Sequence, residues 1–133
     1  MLRSGIPPEV AKRTKALYSC VDEYSMRTEP ANQLEIDHRI PQIRWDTNED
    51  DNRNLTDAQI KEKFMLLTRS NNLLKSRVCE ECKQTGKRGK GYKEIEFWYM
   101  GDENYTDEIG CEGCFWHNPT RWRFLLNEEL KKK

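Results

Sequence analysis

Apolar positions fall at Val10, Ala11, Ala16, Leu17, Cys20 and Val21, close to a 3.6-residue repeat, directly after Pro7-Pro8. The spacing predicts a helix over 9–24, with the prolines at its start. The polar stretch 27–33, which contains Pro30, predicts a loop. Leu34-Glu35-Ile36-Asp37-His38-Arg39-Ile40 alternates strictly and ends at Pro41, which predicts a strand. Asn48 to Asn54 is polar and acidic, a loop. Thr56-Asp57-Ala58-Gln59 has the form of a capping box, so a short helix should run to about Lys63. Phe64 to Thr68 is a short apolar run, a strand or a buried turn, and 69–77 should be helical. Further on, Ile95, Phe97 and Tyr99 alternate with Glu94, Glu96 and Trp98, and a turn at Gly101-Asp102-Glu103-Asn104 could lead into a second strand. Asn118-Pro119 is an N-cap followed by proline, opening a last helix from Thr120 to about Lys132. Short strands between helices indicate an α+β fold in a single domain over 1–133.

Composition adds a constraint. The chain has 133 residues, only 35% of them hydrophobic, with a mean hydropathy of -1.01. So little apolar surface points to a core supported by a metal, a disulfide or a partner. No apolar run approaches the ~20 residues that span a bilayer, and the first residues lack an apolar signal core. We therefore expect a cytoplasmic protein with reduced thiols and no membrane partner.

The cysteines fit such a support. Cys79-Glu80-Glu81-Cys82 and Cys111-Glu112-Gly113-Cys114 form two Cys-x-x-Cys pairs, 28 residues apart. Two knuckles of this kind close a four-sulfur site around structural zinc, here a ribbon over 78–116. Four thiolates leave no open position for water, so the site would support structure rather than catalysis. The competing readings, disulfides or a redox pair, need an oxidising compartment or a thioredoxin-like context. Cys20 is left over and reads as a small buried apolar residue.

Charge is balanced overall, with 23 basic and 23 acidic residues, but not locally. Residues 69–93 carry eight basic groups against Glu80 and Glu81, while 94–115 carry seven acidic groups and no Lys or Arg. The basic segment offers Arg69, Lys75, Arg77, Lys87, Arg88 and Lys90 as phosphate contacts. It is equally a solvated loop neutralised by the acidic stretch beside it. His117, Trp98, Trp116, Trp122 and Tyr99 read as packing residues near the second knuckle.

Asp37-His38 is the feature with the most chemistry. Phosphodiester hydrolysis needs a base of near-neutral pKa, which imidazole supplies, and a divalent cation that takes oxygen ligands. The plain alternative is that His38 shares the Leu34, Ile36 and Ile40 face and is a core histidine, with Asp37 and Arg39 on the solvated face.

Leu34 to Pro41 looks like the opening of an HNH (ββα-metal) nuclease motif, an apolar strand carrying Asp-His and closing with Pro. Leu66-Leu67-Thr68-Arg69-Ser70-Asn71-Asn72-Leu73-Leu74-Lys75 resembles its close, so the likeness spans 34–77. The downstream pairs and Gly-Lys-Arg-Gly are similar to HNH-type type II restriction endonucleases. The resemblance implies a ββα-metal core with an appended zinc ribbon and flanking helices. It implies an endonuclease acting on double-stranded DNA, with Asp37 and Asn72 holding magnesium or manganese and His38 as general base. The sequence departs from the pattern where Thr68 and Asn71 replace a second cysteine pair. By register the middle asparagine falls at Lys63, which cannot serve, so Asn54 takes that place, with Asn52 behind it. Asn54 also reads as a turn residue ahead of the helix. A chain this short leaves little room for a sequence reader, so two expectations stand: the nuclease part of a longer protein, or a homodimer cutting both strands. A non-catalytic zinc module binding DNA or protein is the competing function.

Overall fold

The first helix starts where the sequence places it and stops early. The computed structural model describes residues 6–44 and 54–132. Helix α1 is Pro8–Leu17, and Ser19 and Cys20 beyond it take left-handed φ values of 53° and 54°. The break lets β1 (Val21–Asp22) pair antiparallel with β2 (Arg27–Thr28), so Cys20 and Val21 are not helical as the periodicity predicts. After a 3-10 turn at Ala31–Gln33, β3 (Leu34–His38) pairs antiparallel with β4 (Phe64–Thr68), Leu34 opposite Thr68 and His38 opposite Phe64. Between them, α2 (Asp57–Lys63) begins on the predicted capping box, with Thr56 and Gln59 bonding each other's backbone. Helix α3 (Arg69–Thr85) follows β4 without a linker, and α4 (Pro119–Lys131) is capped by Asn118. The described residues thus form a small α+β protein with two two-stranded antiparallel sheets among them. No helix among the described residues is long and apolar enough to cross a membrane.

Two compact units result, Met1–Leu73 and Leu74–Lys133. In the first, Val10, Ile60 and Phe64 form a dry core with Ile6, Leu17, Ile36 and Leu55 around it. Arg39 is also buried, which corrects its expected place on a solvated face. Its guanidinium forms a fork with both Glu23 oxygens at 3.1 Å and also donates to Tyr18 Oη and the Lys61 carbonyl. Burial alone would lower the Arg39 pKa, but the Glu23 charge and hydrogen bonds outweigh it and raise it.

In the second unit, Phe115, Trp116 and Trp122 are buried and meet edge to face, ring centroids 5.0 Å apart. The indoles of Trp116 and Trp122 donate to the Lys90 and Phe97 carbonyls. The hairpin predicted from the alternation at Glu94 to Tyr99 is not formed as regular strands. Lys93 and Glu94 turn left-handed, Tyr99 bonds Gly113, and among the described residues only the single bridge Lys87–Asn104 gives a strand-like pairing here. The backbone is instead organised by Arg88, 4% exposed, which donates to the carbonyls of Met100, Asp102 and Glu112. Arg88 is therefore a structural residue rather than the phosphate contact its sequence position suggested.

Replacing Glu23 by Gln would leave a buried guanidinium without its counter-charge. We expect a loss of roughly 3–5 kcal/mol in unfolding free energy, read by urea denaturation. A loss under about 1 kcal/mol would show that the pair is better solvated than its burial indicates.

Candidate functional site

The alternation of β3 divides the predicted chemistry between two faces. Directly opposed residues of an antiparallel pair share a face. Glu35 and Asp37 lie with Leu67 and Met65, whereas Ile36 and His38 lie with Leu66 and Phe64. His38 is half-buried at the last position of β3, its ring edge-on to Phe64 with centroids 5.0 Å apart. Asp37 is half-buried on the other face.

Helix α3 brings Asn72 to that other face. Asn72 Nδ2 donates to Glu35 Oε1 at 2.7 Å. The neighbouring Asn71 Nδ2 donates to Asp22 Oδ2 at 2.7 Å, and the Thr68 N–H donates to the same oxygen. Asp22 Oδ1 accepts the backbone N–H groups of Tyr24 and Ser25. This fully buried carboxylate thereby fastens the start of α3 to the β1–β2 turn. The sequence reading missed both Asp22 and Glu35. An acidic residue just beyond an apolar position was the available signal, but the asparagine side chains that bond them come from 37 and 49 residues away.

Of the other expected residues, Asn54 is exposed, in a turn before Leu55, and Asn52 lies outside the described residues. Arg69 and Arg77 are exposed on α3. Lys87 and Lys90 are exposed but face Glu103 and Glu96, each at 3.3 Å. Lys75 is only 2% exposed, so the structure corrects its assignment as a phosphate contact.

The cysteines differ from the expected pair of knuckles. Cys79 and Cys82 lie within α3, where three residues of separation put them on one helix side. Cys111 to Cys114 is a tight turn, with the Cys114 N–H donating to the Cys111 carbonyl and Gly113 at φ 98°. A Cβ at Gly113 would collide with the Met100 backbone. Burial pushes the Cys114 thiol up to about 11, while a hydrogen bond from the Trp116 N–H lowers it. Charge on Cys111 and Cys82 adds to the rise and Arg88 opposes it. Among the described residues, however, no group of three or more Cys, His, Asp or Glu side chains is gathered as a metal-holding cluster. Charges act over longer distances than coordination bonds span, so sulfurs can influence one another without being gathered in this way. Beside this turn, Tyr99 Oη and Glu112 Oε1 are 3.0 Å apart, and His117 Nδ1 lies 3.8 Å from Glu112 Oε2.

The profile of the ICEA Protein family matches residues 10–132. The chain belongs to that family. It is also similar to the type II restriction enzyme NlaIII of Neisseria lactamica, 34% identical over 97 residues that cover 68% of this chain and 39% of the relative. The chain thus spans well under half the length of that relative. No solved structure matches it.

Burial, reinforced by the hydrogen bond and charge of Glu112, pushes the Tyr99 phenol from 10.0 up to about 12. The unfolded chain then ionises first, so the contribution to stability is complete below pH 10 and is lost as pH rises to about 12. The urea midpoint should fall across that window, and Tyr99→Phe should flatten part of the fall. An identical slope in the variant would refute the assignment.

Proposed function

We propose that this ICEA family member is a metal-dependent endonuclease that hydrolyses DNA, with an HNH-type site built on β3, β4 and α3. The observation that carries the reading is the contact of Asn72 with Glu35. Two antiparallel strands followed at once by a helix bring an amide from 72 onto the strand face that holds the Asp37 carboxylate. The similarity to a type II restriction enzyme supports DNA as the substrate.

In this reading His38 is the general base. It closes β3, and contact with Phe64 fixes its ring plane at the strand end. The imidazole takes a proton from water, whose oxygen forms the new bond to phosphorus while the bond to the 3′ oxygen breaks. The products carry a 5′-phosphate and a 3′-hydroxyl. Asp37 and Asn72 offer a carboxylate and an amide carbonyl on one face, a hard-oxygen donor set that fits magnesium or manganese. When bound, such an ion neutralises charge on the phosphoryl oxygens and the leaving oxygen. Of the basic residues expected to meet the DNA backbone, Arg69, Arg77, Lys87 and Lys90 are exposed, the two lysines beside Glu103 and Glu96. Asn54 is assigned as the orienting residue ahead of α2.

Cys79, Cys82, Cys111 and Cys114 are assigned to structural zinc. The fit rests on the donor chemistry: four thiols, two on one side of α3 and two in the tight turn that ends at Cys114, are the ligand type a structural zinc takes. A second reading, a zinc-dependent binding module without hydrolysis, is favoured by the packing of His38 against a fully buried phenylalanine on the face away from Asp37.

Plasmid incubated with the purified chain and Mg²⁺ or Mn²⁺ separates the two. Nicking that EDTA abolishes, and that His38→Ala slows by ~10²–10⁴-fold while duplex binding persists, supports the nuclease. Duplex binding without nicking supports the module. For the cysteines, elemental analysis should find about one zinc per chain, and Cys114→Ser should release it. Chain free of zinc yet folded would remove that assignment.

A further inference from the structure

Glu35 has no part in the mechanism above, yet it holds the one side chain of α3 assigned to the cation. We infer that Glu35 is a positioning residue that fixes which end of the Asn72 amide faces the metal, an inference that rests on the proposed nuclease reading. An ionised carboxylate can only accept, so the Asn72 atom 2.7 Å from Glu35 Oε1 must be the NH₂ group. The amide is planar, and its carbonyl oxygen is therefore turned away from Glu35. Without that partner the amide can rotate by half a turn and present its NH₂ group, which cannot bind a cation, where the carbonyl should stand.

Placement supports this role over a purely structural one. Glu35 and Asp37 share a face of β3 and lie two residues apart, roughly 7 Å along the strand. Glu35 is half-buried rather than enclosed, and it lines an open cavity of about 400 Å³ together with Asn32, Gln33, Thr68, Arg69 and Ser70. A carboxylate whose task was to close the core would sit where Asp22 and Glu23 sit, at 0% and 5% exposure. Glu35 instead stands at the edge of a solvent-open polar recess while its carboxylate holds Asn72. Partners of metal ligands that act in this way typically change metal affinity by ~10–100-fold when removed.

The test measures Mn²⁺ binding to the purified full chain without DNA, by electron paramagnetic resonance titration, alongside plasmid nicking and thermal unfolding. Glu35→Ala should weaken Mn²⁺ binding by at least about 10-fold, with circular dichroism unchanged. Glu35→Gln, whose carbonyl can still accept from Asn72, should recover most of that loss. In an Asn72→Ala background, Glu35→Ala should cause no further loss, because the residue acts only through that amide. Additive losses would overturn the inference and make Glu35 a ligand in its own right. If the parent chain binds Mn²⁺ and nicks DNA while Glu35→Ala binds as tightly, the inference fails and the nuclease stands. If the parent neither binds Mn²⁺ nor nicks, both fail together. Should Glu35→Ala not fold, the Gln variant with and without Asn72→Ala gives the same comparison: Gln as weak as Asn72→Ala overturns the inference.

Discussion

The first unit depends on two adjacent buried carboxylates. Asp22 accepts four hydrogen bonds and Glu23 forms a fork with Arg39, and neither has appreciable access to water. Burying two charges side by side is costly unless each is fully compensated. Besides the backbone of Tyr24 and Ser25, the donors that compensate them come from Thr68 and Asn71, where β4 meets α3, and from Arg39, just beyond β3. The proposed nuclease site would draw its residues from these same segments. Asp22 and Glu23 thus fasten the β1–β2 turn to the end of β3 and to the β4–α3 junction, both distant from it in sequence.

This arrangement explains why so polar a chain folds. The apolar core of the first unit is small, centred on Val10, Ile60 and Phe64. Leu34, Met65, Leu66 and Leu67 add buried apolar surface, and polar, directional contacts join them: Tyr18 bridges the Phe64 carbonyl and Arg39, and Arg13 reaches the Leu55 carbonyl and Asp57. The second unit uses the same device in Arg88, whose guanidinium draws three loop carbonyls together where a sheet would otherwise be needed. Directional bonds of this kind specify geometry more sharply than they stabilise it.

Patterns confined to a few neighbouring residues were readable in the sequence. The capping box at Thr56 and Gln59, the N-cap at Asn118 and the strand at Leu34 are set by local spacing, and the structure forms them. What could not be read depends on partners far along the chain. The alternation at Glu94 to Tyr99 has the period of a strand, but its backbone finds partners in Gly113 and the turn residues instead of a neighbouring strand. Arg39 has the position of a solvated residue until Glu23 arrives beneath it. The proposed site was half legible. Asp37-His38 could be singled out by chemistry and family resemblance, whereas the division of their faces and the role of Glu35 appear only once β4 and α3 are in place.

Consecutive asparagines at the start of α3 have different carboxylate partners, Asn71 with Asp22 and Asn72 with Glu35. Successive helical residues point about 100° apart, so the two contacts can be made together in one register only. Adding or removing one residue within β4 would rotate both amides away from their partners and reverse which β4 side chains face the core. Insertions and deletions between Phe64 and Asn72 should therefore be poorly tolerated, because both contacts depend on that count.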